Sequence, residues 1–317
     1  MKTGLYSITY LGLWYRGPAL SLEDLTREAR RRGYDGLELD GKRPHANPAD
    51  ISQSRCRDLR SLAAGEGVEL YALAANNDFS SPVPEHRESQ LMYVRGLIRL
   101  AARLRIPVVR VFAAWPGVTI TGGLGRYDAA RRLWAQAHEG VPPEETWAWC
   151  RDALAEAAAV AGDEGVTLAL QNHPPVIDNH RDMIRMVNEV SSRALKACLD
   201  APLVAKYEET GMAEAVAATG ALQVLSHFGG EYDRADDGSV RGYVRTPEGL
   251  VPEWFYEDFV KALAESGYDG YIGYELCHPL PEGADLEFGS RNAALAAEYM
   301  KSILARTGAA SAASVHP

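Results

Sequence analysis

The sequence predicts a single (β/α)8 TIM barrel, and three observations predict it. Short apolar, β-branched runs alternate eight times with longer alanine- and charge-rich stretches of helical period, the pattern of βα units around a parallel sheet. Several helical stretches end on a glycine that feeds the next strand, as in RRGYDGLEL, GEGVELYAL, GDEGVTLAL and ESGYDGYIGYEL, which fits a left-handed helix terminator. Polar residues also collect where the apolar runs stop, as they do on the active face of such a barrel.

Taken in order, the strands fall at 4–9, 36–40, 68–73, 107–112, 166–171, 195–200, 222–227 and 271–275. Helices fall near 21–33, 52–65, 85–105, 143–164, 179–192, 210–219, 252–266 and 285–307. The two GYDG segments are echoes of the unit and introduce strands two and eight. The barrel therefore spans 1–307, and 308–317, small and polar, is expected to be a disordered tail. Two connections are long, 113–142 after strand four and 228–251 after strand seven, and both are expected to overhang the active face.

Composition narrows the function. With 317 residues and 46% hydrophobic content the chain can bury one large core. No run of 18 uncharged apolar residues is present, so no membrane span is expected. Cys56, Cys150, Cys198 and Cys277 have no zinc-ribbon or CxxC spacing and read as reduced thiols in a cytoplasmic protein. A net charge of −10 disfavours nucleic acid as a partner. GGLGRY lies in a loop and not between a strand and a helix, so nucleotide binding has no support.

The chemistry is expected at the strand ends. Gln171-Asn172-His173 follows strand five, Asp200 ends strand six, His227 ends strand seven and Glu275 ends strand eight. An amide oxygen, two carboxylates and an imidazole make a mixed oxygen and nitrogen site for one divalent ion, manganese first, with magnesium, cobalt or zinc as alternatives. Taken singly, an acid at a strand end can simply cap the next helix; four consecutive strands make that account harder to hold.

Along nearly its whole length the sequence resembles the xylose isomerase-like barrels, the sugar phosphate isomerase/epimerase group, through LALQNH, ACLD, QVLSHF and GYDGYIGYEL. The resemblance implies Gln171, Asp200, His227 and Glu275 as metal ligands. Two departures stand out. Where the family has Glu in an ENH motif this chain has Gln171, which carries no proton at neutral pH, and LDTGH is replaced by LDAPL. A symmetric two-carboxylate epimerisation is thereby placed in doubt. His173 then becomes the candidate base, with Glu275 as the other catalytic group; the alternative is that His173, followed by Pro174 and Pro175, only binds a substrate hydroxyl or holds the loop.

His45, Asn76, Trp115 and His278 are expected to contact substrate, and Trp14, Tyr15 and Phe112 could add to an aromatic wall or serve as packing. The expected activity is metal-dependent isomerisation or epimerisation of a sugar or keto-sugar through an enediolate. The QNHPPV stretch and the large loops also look similar to the barrel subunit of bacterial C-glycoside deglycosidases. That likeness implies elimination from a 3-oxo-glucoside and a smaller second subunit; a homo-oligomer is the other expected assembly. An endonuclease IV-type enzyme would gather more histidines, and a non-catalytic sugar-binding barrel is the remaining alternative.

Overall fold

A computed structural model describes residues 1–207, 211–246, 249–281 and 283–310. Eight parallel strands close into a barrel: β1 Lys2–Tyr6, β2 Gly36–Asp40, β3 Glu69–Ala74, β4 Val108–Val111, β5 Thr167–Gln171, β6 Leu195–Asp200, β7 Gln223–Gly229 and β8 Tyr271–Glu275. Each pairs with its sequence neighbours, and β1 closes the ring against β8, with Lys2 beside Tyr271 and Leu5 beside Tyr274. Strands covered by helices on one side and by the barrel interior on the other have no solvated face, which is why they read as continuous apolar runs.

The outer helices start and stop on local chemistry. Ser21, Ser52, Asn179 and Asp285 accept from the backbone N–H three residues on, satisfying a donor that the first turn leaves without a partner. Gly67 and Gly165 end their helices in the left-handed region, as the glycine pattern predicts, whereas Arg105 and Ser191 do the same without glycine. The main core lies between helices and strands and includes Leu97, Ile98, Leu154, Phe259 and Met300.

The inside of the barrel is layered. Its lower layer is apolar: Tyr71 and Tyr271 stack with centroids 4.0 Å apart, beside Ala72, Ala169 and Leu225. Gly4 and Gly273 make room for this layer, because a Cβ there would come within 2.2 and 2.6 Å of the Tyr71 hydroxyl. Above it the inward positions turn polar. Two residues further along each strand is one step towards the carboxyl ends, so the sequence carries its charges upward in order.

The long connections have structure of their own. The one after β4 forms a hairpin, Thr119–Thr121 with Leu124–Arg126, followed by a helix, Asp128–Ala137. This segment does cover the active face: Tyr127 lines the central cavity and its hydroxyl donates to the Cys277 carbonyl. The connection after β7 differs from expectation. It forms a three-stranded antiparallel sheet, Glu231–Arg234, Val240–Thr246 and Gly249–Pro252, and packs outward on the helix Leu286–Arg306. Tyr232 N–H donates to Asn292, and Arg234 pairs with Glu298. None of its described residues lines the cavity. A further short helix, Ala201–Tyr207, follows β6 directly.

The expected tail is shorter at its start, since Ala309 accepts a 2.7 Å hydrogen bond from the Met1 amino group. The remainder of that segment, 311–317, lies outside the described residues. All four cysteines are unpaired thiols. No helix among the described residues is long and apolar enough to cross a membrane.

Candidate active site

Register brings the strand-end residues together. Asp200 on β6 lies directly beside His227 on β7, and Gly273, two residues before Glu275, lies beside His227 from the other side. One ligand atom each from Asp200, His227 and Glu275 falls within 4.8 Å of the others. Asp200 Oδ1 is buried and has no hydrogen-bond partner among the described residues. Burial first, then repulsion from Glu275, pushes the Asp200 carboxyl up to about 7. A divalent cation would give that oxygen a partner and offset the repulsion, so these three residues fit one.

His227 is prepared for the same task. Its Nε2 lies 2.7 Å from Oε2 of Glu38, fully buried on β2. Donation from Nε2 to Glu38 leaves the Nδ1 lone pair facing Gln171 Nε2 at 3.5 Å and Cys198 Sγ at 3.7 Å. Burial works against charge on both partners, yet the pull of His227 holds Glu38 below the usual carboxylate range and Glu38 raises the imidazole well above its own. A carboxylate behind a metal-ligating histidine fixes its tautomer and raises its basicity.

Gln171 is brought to the cluster, but by the wrong end for a ligand. Its Nε2 donates to Asp200 Oδ2 at 2.6 Å, while its Oε1 accepts from Arg110 Nη1 at 2.9 Å. Turning the amide over would set its NH2 against a guanidinium and its oxygen against a carboxylate. Asp200, His227 and Glu275 thus converge, and Gln171 stands beside them as a neutral donor to Asp200 with its oxygen held by Arg110.

A narrow cavity opens above the cluster, and Glu275 belongs to both. His173 lines it, edge-on to Phe112 and Trp115. The His173 Nδ1 lies 2.5 Å from the Pro174 carbonyl, so Nδ1 carries the proton and Nε2 is left as the acceptor. Burial pushes this imidazole down to about 3, which keeps it neutral at physiological pH. The Cys277 thiol hydrogen-bonds Glu275, and burial pushes that thiol up. Trp14, Phe112, Trp115 and Asn76 also line the cavity, Asn76 donating to Asp40 and accepting from Lys42.

Other expected contacts are placed elsewhere. His45 is a correction: it is 1% exposed, with Nδ1 on Ser7 Oγ at 3.0 Å and Nε2 on the Leu20 carbonyl at 3.1 Å, so neither nitrogen is left for a substrate. Tyr15 is buried and donates to the Pro18 carbonyl. His278 pairs with Glu231 at 3.0 Å and does not line the cavity. Arg245 is likewise tied to Glu231.

The buried network beneath the cavity was not anticipated. Tyr6 donates to Asp40 and accepts from Arg110, and Arg110 also reaches Glu38. The available signal was a charge inside an apolar strand, Glu38 in GLELD and Arg110 in VVRVF, since a charge on an inward position must find a partner.

Closed parallel topology, a ligand cluster at the carboxyl ends of β6, β7 and β8, and a family model for the xylose isomerase-like TIM barrel matching residues 26–302 agree. The chain belongs to the xylose isomerase-like TIM barrel family. Fructoselysine 3-epimerase of Escherichia coli O157:H7 is 23% identical over 290 residues, covering 87% of this chain and 90% of that one. Among solved structures of this barrel family, D-psicose 3-epimerase from Clostridium cellulolyticum H10 superposes with a TM-score of 0.71 at 19% identity, covering 96% and 99% of the two chains. The 3-keto-D-glucoside 4-epimerase of E. coli gives 0.65 at 16% identity, covering 98% and 100%.

Proposed function

We propose that this xylose isomerase-like barrel is a divalent-metal-dependent epimerase or isomerase of a keto-sugar, working through an enediolate. The observation that carries the reading is the shared cavity: Glu275 of the candidate ligand cluster and His173, whose Nδ1 is engaged by Pro174, line one space. The sugar epimerases among its relatives support the same class of substrate.

Asp200, His227 and Glu275 would hold the ion, which when bound supplies Lewis-acid polarisation of a carbonyl. His173 would take the proton alpha to that carbonyl onto Nε2, with Pro174 holding the ring in the accepting tautomer; burial makes it a weak base, so the transfer leans on the acidity that the bound ion would give that proton. Phe112 and Trp115 fix the imidazole plane from two sides and keep water from it. Glu275 is the second group able to move a proton, as an epimerisation needs on the opposite face. Asn76 and Lys42 offer hydroxyl partners at the rim.

A second reading is favoured by Gln171, which removes the proton-carrying residue expected beside the ion. With His173 as the working base, an enediolate carrying a leaving group beta to the carbonyl would eliminate it, as in a C-glycoside deglycosidase; a smaller second subunit belongs to this reading. Both are tested by incubating the ion-loaded protein in D2O with keto-hexoses and 3-oxo-glucosides and following the sugars by NMR. Deuterium at the alpha carbon with a new epimer is the expected result. Aglycone release would select elimination, and no exchange with any keto-sugar would reject both. His173→Ala should lower exchange by roughly 10²-fold or more while the ion stays bound.

A further inference from the structure

We propose that Arg110 is a catalytic residue, its guanidinium stabilising the oxyanion that forms on the substrate when the alpha proton leaves. This rests on the keto-sugar reading above and adds to it a residue outside the ion's ligand set.

Arg110 stands on β4 beside Ala169 of β5, one layer below Gln171, and is 2% exposed. Its side chain rises into the floor of the cavity, which it lines together with Tyr6, Gln171, His173 and Glu275. The guanidinium lies over the Tyr6 ring at 5.1 Å and the Phe112 ring at 4.5 Å. Those faces hold its plane and limit its hydration, so its charge acts in a low-dielectric setting.

How Arg110 spends its donors is the decisive point. Its short bonds go to neutral oxygens, Nη2 to the Tyr6 hydroxyl at 2.8 Å and Nη1 to Gln171 Oε1 at 2.9 Å. Its carboxylate partner, Glu38, is longer at 3.4 Å, while Glu38 takes a 2.7 Å bond from His227 instead. A guanidinium present only to neutralise Glu38 would close upon it. Among the described residues three of its five N–H bonds find acceptors, which leaves one on each terminal nitrogen. Buried donors without acceptors cost free energy, and a ligand oxygen in the cavity would relieve that cost.

Charge arithmetic gives the same result. Glu38, Asp40, Asp200 and Glu275 are four carboxylates around the floor and its network, and Arg110, Lys42 and one divalent ion offset them, given that Gln171 is neutral. A glutamate at 171 would sit 2.9 Å from the guanidinium and quench it. In the step itself the alpha C–H bond breaks and its proton goes to Nε2 of His173. The C–H electron pair becomes the new C=C bond, and the carbonyl π pair moves onto oxygen, where the free N–H bonds of Arg110 meet it. Reprotonation of the carbon reverses the flow, so no oxidant or reductant is needed.

The test compares wild type with Arg110→Lys, which keeps a charge opposite Glu38, and Arg110→Ala, each loaded with ion. Expected are a kcat for deuterium exchange lowered roughly 10²- to 10³-fold with KM moved less than about tenfold in Arg110→Lys. A sugar hydroxamate, a planar anionic mimic of the enediolate, should lose affinity in parallel by calorimetry, while a neutral sugar alcohol stays within about threefold. Free guanidinium should restore part of the exchange to Arg110→Ala. Equal loss of hydroxamate and sugar alcohol would overturn the proposal, as would unchanged hydroxamate affinity or absence of rescue. Wild type inactive on every keto-sugar would instead reject the underlying reading, and the hydroxamate comparison would still judge Arg110 alone.

Discussion

Glu38 Oε2 lies 2.7 Å from Nε2 of His227, although the two residues are 189 positions apart and stand on β2 and β7. The contact crosses the barrel interior and leaves the other ring nitrogen of His227 facing Gln171 Nε2 and Cys198 Sγ. In the proposed site it would be the outer support of the ligand cluster, made by a residue that would not itself ligate.

Glu38→Gln tests that support with little change of shape. The amide still accepts from Nε2 but no longer raises the basicity of the imidazole. Affinity for a divalent ion should fall roughly 10- to 100-fold by competition calorimetry. Unchanged affinity would show that the pair serves packing alone.

Gln171→Glu probes the departure from the family pattern. The new carboxylate would pair with Arg110 and face Asp200 across the 2.6 Å now bridged by an N–H. The ion should be retained, and exchange should fall by about tenfold or more, because the added negative charge weakens both cations that stabilise an oxyanion. A rise in activity would instead mark Gln171 as a lost carboxylate, and the barrel as a decayed isomerase.

Those two residues also show where sequence reading ends. Apart from the first strand, expected at 4–9 but found at Lys2–Tyr6 with a 3-10 turn over Ser7–Tyr10, the strands and main helices were legible because buried parallel strands are apolar throughout and because Gly67 and Gly165 stop their helices as glycines do. Asp200, His227 and Glu275 were legible because polar residues at strand ends point to the active face. The use of each amide atom of Gln171 was not, since it depends on Arg110, which hides in an apolar strand. Nor was the Glu38 contact, which exists only once the ring closes. His45 misled for the opposite reason: it follows a strand end, but its ring folds inward onto Ser7 and Leu20.

Binding of the ion should depend on pH through Asp200, whose carboxyl is pushed up to about 7. Below that value the ion must displace a proton; above it the carboxylate is already free. Affinity should therefore fall roughly tenfold or more per unit as pH drops below about 7, and it should go on rising above 7 because His227, which Glu38 raises well above its ordinary range, must also give up a proton to ligate. Without the ion the sign for stability is reversed. A carboxyl with a raised folded-state pKa keeps a proton that the unfolded chain has released, so its contribution is lost as pH rises towards 7. Thermal melts should show the metal-free protein gaining from this group at pH 5.5 relative to pH 8, and the Asp200→Asn variant should lack that difference. His173, pushed down to about 3, stays neutral over the whole range and adds no limb.

The account stands most directly on the ion at Asp200, His227 and Glu275. Elemental analysis of protein purified without chelator, set beside Asp200→Ala and Glu275→Ala, measures it, since each change removes one of the two ligand carboxylates. About one divalent ion per chain in the wild type, lost from both variants together with exchange, is the predicted result. Metal-free wild type with full exchange, or variants that keep the ion, would contradict it.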